Sequence, residues 1–85
     1  MPEEKVIYFA VTGEGGTRNN PRGIVRRRTF SDGGFEDEGF QRDSTWKFTP
    51  VIVEWERGDF ALELEEVSED QAMKIVESLR SGGSY

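Results

Sequence analysis

From Lys5 to Val11 the chain reads KVIYFAV, with an apolar or aromatic side chain at every position after the lysine. A β-strand sends successive side chains to opposite faces, so a run of this kind needs cover on both sides of its sheet. It predicts an interior strand and obliges the rest of an 85-residue chain to close two faces. A chain this short builds one core, and residues 1–85 are read as a single domain.

Thr12 to Gly23 (TGEGGTRNNPRG) is dense in Gly, Asn and Pro and predicts a long loop rather than a tight turn. Loops of this length in small domains often carry function. Within it Gly13–Thr17 (GEGGT) follows a strand, where phosphate-binding loops begin. It lacks the Lys-Ser/Thr pair, leads into no helix and sets Glu14 where a phosphate would be repelled, so it reads as a connection.

The second strand is Ile24 to Phe30, and Ser31–Gly34 (SDGG) is a turn whose glycines can take positive φ. Phe35 to Asp43 (FEDEGFQRD) is its hairpin partner. Phe35 and Phe40 have opposite parity, so a bulge at Gly39 is expected to bring both rings to one face. The stretch STWKFTPVIVEW leads into a fourth strand with Pro50 at its beginning, which places Val51, Val53 and Trp55 on one face and Ile52, Glu54 and Glu56 on the other. After ERGD a fifth strand alternates, with Phe60, Leu62 and Leu64 inward and Ala61, Glu63 and Glu65 outward, completing a second hairpin.

Ser68 opens the one convincing helix. Ser68 and Gln71 have capping-box spacing, Val67 and Ala72 stand where a hydrophobic staple would, and Glu69 and Asp70 suit the positive helix start. Ala72, Ile75, Val76 and Leu79 make an apolar stripe that Met73 widens, and Gly82 and Gly83 end the helix, leaving 81–85 as a tail. The fold class expected is α+β: a four- to five-stranded, mainly antiparallel sheet with one C-terminal helix packed on one face. The opposite face is left for loops, a second copy of the chain or a partner to close.

The chemistry available is narrow. The chain has no His and no Cys, which removes nucleophile-histidine triads, disulfides, thiolate metal sites and the usual neutral-pH acid/base group. The carboxylate pairs Glu36/Glu38 and Glu63/Glu65 share strand faces, but such pairs occur on any solvated strand. SDGGFEDE has oxygen ligands without the spacing of a calcium loop. No catalytic residue, cofactor or metal is assigned, and the expectation is a non-enzymatic protein. The acidic start and the short apolar run after it fit neither a secretory signal nor a membrane span, and a cysteine-free chain suits a cytoplasmic setting.

Charge is divided unevenly. Residues 1–28 hold six basic side chains against three acidic ones, whereas the remainder holds five against fourteen, for a net charge of -6. The triplet Arg26-Arg27-Arg28 sits inside the second strand with neither face cleanly apolar, which marks that strand as an edge or a bulged one. One reading lays the arginines across a glutamate ladder of the second hairpin, Glu54, Glu56, Glu63 and Glu65. The other makes Arg22, Arg26, Arg27 and Arg28, with Arg18 on the loop, a surface for phosphates or an acidic partner. Trp46 and Phe48, two apart around Lys47, present both rings on one side, and Trp46 is the favoured anchor for a partner.

Three kinds of contact follow. The leading one is binding of a protein, or of a second copy of the chain, through the Arg strand and an aromatic sheet face, with Arg22, Arg26, Arg27, Arg28 and Trp46 as contact residues. The second is an acidic mimic of nucleic acid that inhibits a basic enzyme. The third is RNA or DNA contact through the Arg cluster, which the acidic remainder opposes. No membrane contact is expected.

The segments YFAV, PRGIVRRR, DEGFQRD, the tryptophan that follows and ELEEVSEDQA resemble a group of small uncharacterised proteins from actinobacteria and their phages. The resemblance spans nearly the whole chain. It implies a compact sheet-and-helix domain and transfers no activity and no site residue.

Overall fold

A computed structural model describes residues 4–13, 21–41, 43–59 and 63–80. The elements are β1 (Glu4–Thr12), β2 (Gly23–Phe30), β3 (Phe35–Phe40), β4 (Trp46–Phe48), α1 (Val51–Glu56), β5 (Glu63–Val67) and α2 (Glu69–Arg80). The strands form one antiparallel sheet in the order β4-β3-β2-β1-β5, so the α+β class and the C-terminal helix are as expected. Of the expected long loop Thr12–Gly23, Thr12 belongs to β1 and Gly23 to β2, while residues 14–20, with Arg18, lie outside the described residues, as do the inward Phe60 and Leu62 and the glycines and tail of 81–85.

β1 is interior, flanked by β2 and β5, and both of its faces are covered. On one face Tyr8 and Ala10 join Ile24, Val67 and the α2 residues Ala72, Ile75 and Val76 in a buried cluster, with Val6, Phe40, Trp46 and Leu79 packed around it. On the other, Val11 joins Val25, Leu64 and Ile52 of α1, bordered by Phe9, Val51 and Trp55. The doubly apolar run thus acquires a helix on each side, and the second cover is α1 rather than a loop or a second chain.

That cover corrects the expected second hairpin. Val51–Glu56 is a helix, not a strand, and the fourth strand is the shorter Trp46–Phe48 upstream of it. Six residues do not hold a helix alone, because nucleation costs more than so few hydrogen bonds return. Tertiary burial supplies the difference: Ile52 is 1% exposed, worth roughly 1.5–3 kcal/mol for a side chain of that size. Local signals agree once they are read for a helix. The Thr49 Oγ1 accepts from the Val51 N–H, Pro50 stands at the entry, and Gly58 at φ 82° ends the helix. The Gly58 N–H donates to Trp55 O and the Asp59 N–H to Glu54 O, the paired bonds of a Schellman cap. ERGD is therefore a helix stop rather than a strand turn.

Two further expectations change. β2 is the central strand of the five, not an edge. β3 pairs with β2 in unbroken register from Thr29↔Phe35 to Val25↔Gly39, so Gly39 makes no bulge, and Phe35 and Phe40 stay on opposite faces.

α2 follows its sequence closely. The Ser68 Oγ accepts from the Gln71 N–H at 3.1 Å, and the staple residues Val67 and Ala72 are both in the core. Met73 does not widen the apolar stripe: it is 41% exposed.

Candidate interaction surface

The register of β2 against β3 answers what three arginines do in a strand. Arg26 stands opposite Glu38, Arg27 opposite Asp37 and Arg28 opposite Glu36, so a basic triplet on the central strand meets an acidic triplet on its neighbour. On the β1 side the same residues oppose Tyr8, Ile7 and Val6, apolar positions against which arginine stems can lie. The acids of β3 are thus the cross-strand partners, and of the glutamate ladder expected from a second hairpin Glu56 does meet Arg27, from helix α1 rather than from a strand.

Alternation divides the triplet between the two faces. Arg27 points to the α1 side, where its Nε and Nη2 donate to Asp37 Oδ1 and Oδ2 at 2.7 and 2.9 Å. Its Nη1 and Nη2 also reach Glu56 at 3.1 and 3.2 Å, and its guanidinium lies 4.3 Å from the Phe35 ring centre. The Asp37 hydrogen bonds hold the Arg27 guanidinium in its charged form even more firmly than usual; burial opposes this and Glu56 reinforces it. Asp37 is 3% exposed, so this pair is a strut inside the fold.

Arg26 and Arg28 point to the α2 side. Arg26 donates from Nε to Glu38 Oε1 at 2.9 Å, with Nη2 of the same arginine 2.8 Å from that oxygen, and its guanidinium lies 4.1 Å from the Trp46 ring centre. Arg28 has longer carboxylate distances, with Nη1 3.6 Å from Glu36 and 3.7 Å from Glu38, and its guanidinium lies 5.5 Å from the Phe30 ring centre. Solvent-accessible pairs of that length are worth about 0–1 kcal/mol, whereas Arg27 makes two short bonds to a buried carboxylate, so Arg27 forms the strongest pair of the triplet.

Trp46 lies on this same face. Its ring meets Phe40 edge-on at 5.2 Å and Tyr8 at 6.2 Å, with Arg26 against it. It is half-buried, and it sits on the α2 side rather than on a face the helix leaves wholly open. Phe48, two residues on and directly opposite Glu38, is 79% exposed. Both rings share a side as the sequence implied, but the exposed anchor is Phe48. The parity of the pair was legible; which ring α2 and Tyr8 would shelter was not, because that depends on where the helix lands.

Of the predicted contact residues, the fold brings Arg26 and Trp46 into contact and places Arg28 on the same face. It turns Arg27 to the opposite side and sets Arg22, which is exposed, just before the first residue of β2. The Arg22 N–H donates to Val11 O, extending the ladder there.

The candidate acid pairs have other engagements. Glu36 and Glu38 share a face beside Arg28, and Glu63 and Glu65 lie on β5 next to β1. At the β3–β4 turn, the Thr45 hydroxyl holds the Asp43 carboxyl below its usual range, with Lys47 reinforcing the effect and slight desolvation opposing it. Among the described residues no three His, Cys, Asp or Glu side chains converge as a metal site requires, and no helix is long and apolar enough to cross a membrane. No protein-family model, curated protein or solved structure matches the chain.

Proposed function

We propose that this chain is a non-enzymatic interaction module that binds another protein through the aromatic end of its sheet, with Phe48 and Trp46 at the centre and Arg26 and Arg28 at the rim. One observation carries the reading: Phe48 is 79% exposed on the same face as the Tyr8–Phe40–Trp46 cluster and beside the Arg26–Glu38 pair. Large exposed rings next to Trp and Arg match the composition of binding hot spots. The setting proposed is cytoplasmic. A photo-crosslinking residue at position 48, with Met73 on α2 as the exposed control, is expected to capture a discrete protein from position 48 alone. Equal labelling from both positions, or none from 48, would sink the reading.

The acidic-mimic reading keeps support from a second observation. Glu63, Glu66, Glu69, Asp70 and Glu77 are exposed along β5 and α2, with Lys74 and Arg80 as the basic side chains there. A carboxylate surface of this kind would steer toward a basic groove. Inhibition of a nucleic-acid enzyme that disappears when Glu69 and Asp70 become Gln and Asn is its test. Nucleic acid contact through the Arg cluster is the weaker alternative, because a phosphate would have to compete with carboxylates already held by Arg26, Arg27 and Arg28.

A further inference from the structure

β4 ends the sheet, and among the described residues no strand pairs with its outer side. The bonds to β3 show which of its backbone groups face out. Thr45 O accepts from the Gln41 N–H and the Thr49 N–H donates to Asp37 O, so Thr45, Lys47 and Thr49 turn inward to β3. By the alternation of an antiparallel ladder, the N–H and C=O of Trp46 and Phe48 turn outward. The two residues with open backbone groups are thus the two that carry aromatic rings onto the α2 side. Lys47, between them, puts its ammonium on the opposite face, where it meets Asp43 at 3.4 Å in a pair exposed on both sides.

We propose that β4 is a strand-addition site for an extended segment of a partner protein, in which an acidic residue is flanked by two apolar ones. This rests on the reading of the chain as a protein-binding module and specifies how the partner docks. An antiparallel strand would hydrogen-bond to Trp46 and Phe48 through its flanking residues, whose side chains then lie over the exposed Phe48 ring. Its central residue would face Lys47 as a non-hydrogen-bonded pair, the closer of the two pair types, with Cα atoms about 4.5 Å apart. There an acid is favoured and a base is repelled.

The same charge argues against a second copy as occupant. Two β4 strands paired with full three-residue overlap would set Lys47 against Lys47 of the second copy. A short edge bearing a lysine and followed by Pro50 is protected against indiscriminate pairing. Lys47 thus acts as a filter that passes an acid-centred strand.

The probe is the capped peptide Thr-Thr-Ile-Glu-Ile-Thr-Thr, titrated into the isotope-labelled protein. Expected are shifts concentrated at the Trp46, Lys47 and Phe48 amides, binding about three- to tenfold weaker when the central Glu is Lys, and inversion of that preference in Lys47→Glu. Methylating both Ile amides is expected to abolish binding, whereas methylating the Glu amide, which points away from β4, preserves it. Absence of binding, indifference to Ile methylation, or an unchanged preference in Lys47→Glu with its melting temperature intact would overturn strand addition. Crosslinking from position 48 would still decide the module reading by itself. A concentration-dependent dimer abolished by disrupting β4 would also overturn the proposal, since the occupant would then be a second copy.

Discussion

Arg27 holds Asp37 across the β2–β3 ladder with two parallel hydrogen bonds of 2.7 and 2.9 Å, and Asp37 is almost wholly shielded from water. The fork geometry of a guanidinium matches a carboxylate, and low exposure limits screening. The same arginine reaches Glu56, so one side chain ties the central strand to its neighbour and to the short helix on that face.

Removing the acid from this pair leaves a shielded guanidinium with Glu56 as its remaining carboxylate. Asp37→Asn is expected to cost about 2–4 kcal/mol in urea unfolding, below the full penalty of orphaning a buried charge because Arg27 keeps Glu56 and some solvent access. Arg28→Ala, where the carboxylate distances are longer, is expected to cost less than about 1 kcal/mol. Equal losses at the two positions would contradict the ranking drawn from distance and burial.

The C-terminal stop of α1 depends on a backbone conformation that side chains with a branched Cβ resist. Gly58→Val, at φ 82°, is expected to lower stability by about 1–2 kcal/mol and to speed amide exchange across residues 51–56 before the sheet is affected. Exchange that rises uniformly over the chain would show that α1 is not a separate, locally opening unit.

Ser44, at φ 67° in the β3–β4 turn, is the described non-glycine residue with positive φ. Ser44→Val is expected to destabilise by about 1–2 kcal/mol, since a β-branched side chain is strained in the left-handed region. Ser44→Gly is expected to be neutral or slightly stabilising. Thermal melts of the two variants give the comparison, and a reversed order would mean the turn relaxes elsewhere.

Acid should weaken the same turn. A carboxyl whose folded pKa is lowered contributes stability above its unfolded value, and loses it as pH falls through the folded value. The Asp43 contribution is accordingly present at neutral pH and fades below the ordinary carboxylate range of about 4. Asp43→Asn, which keeps an acceptor for Thr45, is expected to flatten that part of the stability curve. An unchanged acid limb in the variant would rule out the coupling.

Some of this was legible in the residues. Lys5–Val11 announced an interior strand, because only a doubly covered position tolerates apolar side chains at every step. Ser68, Gln71 and the Ala72–Ile75–Val76 spacing announced α2, since a cap and a stripe are local and period-specific. VIVEWE misled for the reverse reason: six residues rich in β-branched side chains fit an alternating strand as well as a helical turn. Thr49-Pro50 before it and Gly58 after it were the signals that decide in favour of a helix. For the arginines, the sequence reading named one set of internal carboxylates, the ladder of a second hairpin; Glu56 from that set does meet Arg27, but the acids of β3 were missed because the strand neighbouring β2 was not identified.

The amino-acid order by itself determined that this chain makes an antiparallel sheet with a C-terminal helix, and that it has neither imidazole nor thiol with which to do chemistry. Alternation, capping and composition are properties of short segments, so they survive without knowledge of neighbours. Only the tertiary arrangement decided that β2 is central, that its arginines spend their charge on Glu36, Asp37 and Glu38, and that Phe48 rather than Trp46 is left in water. Those outcomes depend on which strand lies beside which and where each helix lands, and pairing between segments distant in the chain leaves no periodic trace within either one.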